Sequence, residues 1–349
     1  MTSSAKEPTV PANRTRGSEP LGGAADPVRV AVVQPEPAMF DPDAAVDTVV
    51  RKTAEAAGKG ARLVLFPEAF VGGYPWGLAF GTAVGGRRPE GRRGWERYWR
   101  GAVDVPGSHT QRMGQAAAEH GVYLAVGVIE RDGAHSGGTL YCTLLYFGPD
   151  GALLGKHRKL KPTAAERVIW GEGDGSTLTV LNTDIGRLGG LICWENYMPL
   201  ARQALYGKGV ELYLAPTADA RDGWQATLRH IALEGRCYVL GCNQYVRRDH
   251  YPEDLELADE LGQWPETLSR GGSAIYGPLG ECLAGPLWDE SGMLIADLDA
   301  GAIIRGKMDF DVTGHYARPD VFRLTVNESP LPSVEYVEGE LTDPMEEPR

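Results

Sequence analysis

The chain has 349 residues, 42% of them hydrophobic and 23% charged, and a formal net charge of -12. This is ordinary globular composition with enough apolar material for a sizeable core, in one large domain or two smaller ones. The negative balance argues against nucleic acid and anionic membranes as partners, because both require a basic footprint. No apolar stretch approaches the roughly 20 residues that span a bilayer, and the first 27 residues contain no apolar signal core. A cytoplasmic protein with a small or neutral ligand is therefore expected.

Residues 1–27 are rich in Ser, Ala, Pro, Gly and Glu without apolar periodicity, so they are expected to form a disordered tail. A first strand runs over 28–34. From Asp43 to Gly58 a helical stripe of Ala44, Val46, Val49, Val50, Ala54 and Ala57 predicts a helix, with Gly58 as its stop. A second strand, 63–66, runs into Pro67 and Glu68. Strand, helix, strand is the unit from which layered α/β proteins are built. Residues 81–107 are Gly- and Arg-rich, too polar for core, and read as an edge loop or contact surface. A helix over 108–120 with Ser108 as N-cap leads to a strand over 122–129.

Hairpin strands follow over 140–147 and 152–160 around the turn Gly148-Pro149-Asp150-Gly151. The second ends in Lys156-His157-Arg158-Lys159-Leu160-Lys161-Pro162, a basic run in an acidic chain. Strands over 177–183 and 188–194 come next, the latter carrying Cys193 to its end. Helix 200–207, strand 210–215, helix 224–236 and strand 237–244 follow, then hairpin strands within 272–298. An acidic, proline-containing tail begins near residue 328, expected to be mobile or swapped onto a neighbour.

The five cysteines, Cys142, Cys193, Cys237, Cys242 and Cys282, are odd in number and scattered, which is neither a disulfide framework nor a zinc site. Three strand ends instead offer a carboxylate (Glu68), an ammonium (Lys159) and a thiol (Cys193). An unperturbed thiol has a pKa near ~8.5 and needs a base or a cation to act as a nucleophile at neutral pH. Glu68 can take its proton, Lys159 can stabilise negative charge developing on a substrate atom, and the helix start after Met198 can favour a thiolate.

In this order and spacing, the chain from Val28 to about Asn327 resembles the nitrilase branch of the carbon-nitrogen hydrolase superfamily. The matching stretches are Phe66-Pro67-Glu68-Ala69-Phe70 with Gly72-Gly73-Tyr74-Pro75, Lys156-His157-Arg158-Lys159-Leu160 with Pro162-Thr163, and Ile192-Cys193-Trp194-Glu195-Asn196. The resemblance implies a four-layer α-β-β-α sandwich, two mixed sheets face to face between helices. It divides the chain into a tail over 1–27, a hydrolase domain over 28–327 and an acidic tail over 328–349. It implies a triad of Glu68 (proton acceptor), Lys159 (stabiliser and proton donor) and Cys193 (nucleophile), with Glu166 in support. No cofactor or metal is implied, and self-association into a homodimer or a larger spiral is.

Trp194, directly after the cysteine, resembles nitrilases more than amidases, so the expected reaction is hydrolysis of an organic nitrile to a carboxylic acid and ammonia. A nitrile offers little for hydrogen bonding and calls for an apolar, ring-lined pocket, for which Trp194, Tyr74, Trp76, Thr217 and Ala218 are the candidates. The alternatives are a cyanide dihydratase or an amidase of the same superfamily, and a non-catalytic filament scaffold, which an intact triad argues against.

Overall fold

The computed structural model describes residues 27–133 and 137–334. The disordered tail expected over 1–27 falls, apart from residue 27, outside the described residues, as does the end of the acidic tail, 335–349. In chain order the elements are β1 (Val28–Gln34), α1 (Pro42–Gly58), β2 (Leu63–Leu65), a small hairpin of β3 (Thr82–Ala83) and β4 (Gly86–Arg87), α2 (Pro89–Arg100), α3 (Ser108–His120), β5 (Tyr123–Arg131), β6 (Leu140–Phe147) and β7 (Leu153–Arg158). They continue with β8 (Val180–Thr183), β9 (Gly186–Gly190), α4 (Pro199–Gly207), β10 (Leu212–Pro216), α5 (Asp222–Gly235), β11 (Tyr238–Cys242) and β12 (Tyr245–Arg247). The last are α6 (Ala258–Leu261), β13 (Thr267–Tyr276), β14 (Cys282–Trp288), β15 (Gly292–Leu298) and α7 (Ala300–Gly306).

Two sheets result. One has the order β15-β1-β2-β5-β6-β7, and the other β12-β13-β11-β10-β9-β8 with β14 on β13. Both are mixed: β1, β2 and β5 are parallel, as are β9, β10 and β11, while their flanking strands pair antiparallel.

The period-2 alternation of β1 explains the layering. Val30 and Val32 point to the central core, where they meet Leu212, Leu214 and Leu240 of the opposite sheet. Ala31 and Val33 point the other way, onto Val46 and Val49 of α1 and Met113 of α3. On the far side Tyr213 and Val239 pack against Leu205 of α4 and Trp224, Leu228 and Ile231 of α5. Strand faces that are apolar on both sides need cover on both sides, and the result is the α-β-β-α sandwich. Each fully buried Val or Leu contributes roughly 1.5–3 kcal/mol.

Local signals set the helix ends. Asp41 caps α1 by accepting from the Ala44 amide at 3.0 Å, with Pro42 in its first turn. The expected cap of α3 shifts by one residue: Gly107 is the N-cap, and the Thr110 hydroxyl accepts from its amide at 2.8 Å. Residues 81–107 differ more. They contain α2, which turns Tyr98 fully into the core and packs Trp95 and Trp99 against it. No helix among the described residues is long and apolar enough to cross a membrane.

Candidate active site

Strand ends of both sheets converge on a common cluster. Glu68 lies just past β2, Lys159 just past β7, Thr217 just past β10, and Cys193 three residues past β9. The sequence reading extended the cysteine's strand through Trp194, but β9 stops at Gly190 and Cys193 opens a one-turn 3-10 helix, Cys193–Tyr197. The turn is held from within. Asn196 Nδ2 donates to the carbonyls of Leu191 (3.0 Å) and Cys193 (2.8 Å), and Tyr213 OH donates to Asn196 Oδ1 at 2.7 Å. Cys193 sits at φ 52°, in the left-handed region that a non-glycine residue occupies only when its surroundings impose it.

A second brace comes from Glu195. Its two oxygens accept from the amides of Leu160 and Ile192, both at 2.6 Å, and from His157 Nε2. One buried carboxylate thus ties the residue after Lys159 to the residue before Cys193. The motifs that contain Glu195 and His157 give neither residue a role, because Glu195 lies 38 residues from His157 and 35 from Leu160 along the chain.

Lys159 lies between two carboxylates, its Nζ 2.6 Å from Glu68 Oε1 and 2.7 Å from Glu166 Oε2. Glu166 also accepts from Tyr74 OH and from the Thr163 amide, each at 2.6 Å. Tyr74, expected to touch substrate, thus anchors Glu166, and its ring packs beside Trp76 and Trp170. Trp170 also places its face 5.4 Å from Lys159 Nζ. Glu68 is pinned at its backbone by Gln244 Nε2, which donates to its carbonyl at 3.1 Å. Close approach here requires Gly127 on β5, where an added Cβ would lie 2.1 Å from the Pro67 carbonyl oxygen.

The Thr217 hydroxyl lies 3.2 Å from Cys193 Sγ, and its oxygen accepts from the Asp219 amide at 2.9 Å. Ala218 is buried between them. Trp194 is 39% exposed, so it stands at the rim. Its Nε1 donates to Asp219 Oδ2 at 2.8 Å, and the Arg221 guanidinium lies 4.9 Å from its ring centre. The geometry therefore links Glu68, Lys159, Glu166 and Tyr74 in one set of direct contacts and Cys193 with Thr217 in another, with Trp76 against Tyr74 and Trp194 joined to Thr217 through Asp219. The Cys193 thiol interacts with the Glu68 carboxyl and with the Lys159 ammonium, which brings the two sets together.

Burial governs the electrostatics. It raises the Glu68 carboxyl to about 7: the Lys159 ammonium pulls it down, while the Glu166 charge pushes it further up. For Lys159, burial alone favours the neutral amine, but Glu68 and the other negative neighbours outweigh it and hold the ammonium well above its usual range. Burial, reinforced by the Glu68 charge, pushes the Cys193 thiol up. Burial thus favours the neutral thiol at Cys193, contrary to the thiolate expected at a helix start, since α4 begins only at Pro199. A thiol, a carboxylate able to take its proton near neutrality and a fixed ammonium form the equipment for nucleophilic attack on an unsaturated carbon.

The carbon-nitrogen hydrolase family matches residues 29–307. Among curated proteins, an aliphatic nitrilase of Sinorhizobium fredii (strain HH103) is 55% identical over 88% of this chain and 97% of its own length. Nitrilase 1 of Arabidopsis thaliana is 49% identical over 92% of this chain and 94% of its own. A bifunctional nitrilase/nitrile hydratase of Lupinus angustifolius is 50% identical over 88% of each chain. Among solved structures, an amidase of the nitrilase superfamily from Nesterenkonia AN1 superposes with a TM-score of 0.60 at 22% identity, covering 82% of this chain and 96% of that one. At that identity the last comparison speaks to the fold.

Proposed function

The chain belongs to the carbon-nitrogen hydrolase family, in its nitrilase branch, and we propose that Cys193, Glu68 and Lys159 carry out its hydrolysis of an organic nitrile to a carboxylic acid and ammonia. The observation that carries the assignment of roles is the Lys159 ammonium held 2.6 Å from Glu68, whose carboxyl stands at about 7 beside a neutral Cys193 thiol.

In the first step the Cys193 sulfur bonds to the nitrile carbon as its proton passes to Glu68 and on to the nitrile nitrogen, giving a thioimidate. Glu68, again a carboxylate, takes a proton from a water molecule as the water oxygen adds to that carbon. Lys159 stabilises the tetrahedral species and donates toward the departing nitrogen. Ammonia leaves, a thioester remains, and a second water releases the acid and restores the thiol. Two waters are consumed per nitrile, with no change of oxidation state and no added cofactor. Glu166, held by Tyr74 and Thr163, positions Lys159 from the side away from Glu68.

Trp76, Thr217, Ala218 and Trp194 serve in this reading as the walls and rim of the substrate pocket, with the domain running from 28 to 327. Self-association belongs to the same reading. Tyr197 and Leu200 by α4, Leu233 on α5 and Phe322 beyond α7 are exposed apolar side chains, the kind of surface that a second copy covers. Five free thiols, four of them buried, suit the reducing cytoplasm.

Ammonia release from a panel of aliphatic and aromatic nitriles, amides and cyanide, run beside Cys193→Ala, tests the reading. Turnover of nitriles that Cys193→Ala abolishes is the expected result. Turnover of amides alone, or undiminished activity in the variant, overturns it.

A further inference from the structure

The two oxygens of the Glu68 carboxylate are not equivalent. Oε1 accepts from Lys159 Nζ at 2.6 Å and faces a second donor, the Cys142 thiol, at 3.6 Å. Oε2 is fully buried and meets no hydrogen-bond donor in good geometry among the described residues, while the Cys193 thiol interacts with the same carboxylate. A buried carboxylate oxygen without a partner costs free energy unless something in the working cycle uses it, and Cys193 is the proton source that the reaction brings to Glu68.

Cys142 is placed for this by the sheet. It lies on β6 between β5 and β7, opposite Ile129, with its side chain in the central core. Its carbonyl accepts from the Lys159 amide at 2.8 Å, so one residue holds the backbone of the ammonium and the side chain of the base. Burial, with the Glu68 charge, holds this thiol well above its usual range and therefore in the S–H form that can donate.

We propose that Cys142 is a positioning residue for the base: with Lys159 it occupies Glu68 Oε1 and so leaves Oε2 as the one oxygen that takes the proton of Cys193. The inference rests on the roles assigned above to Glu68 and Cys193. The charged and titratable groups that face the Glu68 carboxyl are Lys159 after β7, Glu166 on the following turn, Cys193 after β9, Tyr74 in the loop after β2 and Cys142 itself. Of these, Cys142 alone can be stripped of its donor without removing a charge, a member of the triad or the tyrosine that anchors Glu166.

The test is the pH profile of kcat/KM for the full-length enzyme and for Cys142→Ala, Cys142→Val and Cys142→Ser. Losing a donor to the carboxylate raises the pKa of Glu68. Ala and Val, which lose it at two different volumes, should both move the acid limb to higher pH by about half a unit, the lower end of a hydrogen bond's worth. Ser, which keeps a donor, should show no such upward shift. A profile that moves as far in Ser as in Ala and Val, that follows side-chain volume, or that moves in none of the three, overturns the proposal. Cys193→Ala run alongside separates the two levels. Activity surviving in that variant discredits the nucleophile itself, whereas an acid limb that ignores Cys142 in an enzyme dependent on Cys193 discredits only the positioning role.

Discussion

His157 and Glu195 form a wholly buried pair, the imidazole Nε2 3.0 Å from the carboxylate Oε2. Nδ1 lies 2.9 Å from the Thr177 carbonyl oxygen, which can only accept, so this nitrogen carries hydrogen. Glu195 accepts from the Leu160 and Ile192 amides as well, and its charge and hydrogen bond favour a second proton on the ring, at Nε2, so the pair stabilises the imidazolium form. The pair is a charged strut beneath the loops that present Lys159 and Cys193.

Removing one partner strands the other charge in the interior. Glu195→Ala should therefore destabilise the enzyme by about 3–5 kcal/mol, read from urea unfolding midpoints. The folded fraction should also lose kcat, because the backbone at Leu160 and Ile192 loses its common acceptor. Stability and turnover within threefold of the parent would contradict the strut.

The same pair sets a pH dependence. For His157, burial favours the neutral ring, but the Glu195 charge and hydrogen bond outweigh it, and the folded-state pKa is raised. A raised group contributes stability that is full below its unfolded pKa, near ~6.5, and is lost as pH rises through its folded value. The stability advantage of the parent over His157→Gln should accordingly shrink as pH rises above ~6.5, measured by thermal unfolding from pH 6 to 9. An advantage that grows over that range would reverse the assignment.

Catalysis should respond in the opposite sense. The base form of Glu68 is populated above about 7, so kcat/KM should rise with pH through that region, falling about tenfold per unit below it. Glu68→Gln should remove both the activity and this limb. A steady-state profile flat from pH 5 to 8 would remove Glu68 from the role of base.

Backbone proximity yields a further prediction. An alanine Cβ at 127 would sit 2.1 Å from the Pro67 carbonyl oxygen and 2.8 Å from Glu68 Cα, so the Pro67-Glu68 segment must move. Gly127→Ala should lower the melting temperature and reduce kcat by roughly 100-fold, the effect of misplacing a reacting group by about 1 Å. Unaltered kcat would show that the base tolerates displacement.

Much of this was legible in the sequence wherever a local pattern carried it. β1, α1, β6 and α3 fall within a residue of their expected spans, because alternation, helical stripes and caps are short-range signals. The helix α2 was not legible, for its glycines read as loop punctuation. Gly91 and Gly94 instead allow close packing: a Cβ at Gly91 would lie 2.0 Å from the Phe80 carbonyl oxygen, and one at Gly94 2.8 Å from Leu257 Cδ1. At the site, the identities of Glu68, Lys159 and Cys193 were readable from motifs. The placing of Tyr74 on Glu166 and of Glu195 on Leu160 depends on contacts between distant segments. The early end of β9 is different, since local side-chain bonds from Asn196 to Leu191 and from Ile192 to Glu195, with Tyr213 on Asn196, fold the chain into a turn that its apolar sequence does not announce.

The central claim is that the nitrile carbon becomes bonded to Cys193. Mass spectrometry of the enzyme quenched in acid during turnover of a slow nitrile, followed by peptide mapping, tests it most directly. The account predicts an adduct of the mass of the thioimidate or the thioester on the peptide containing Cys193, absent in Cys193→Ala. An adduct on another residue, or full turnover by Cys193→Ala with no adduct, would contradict it.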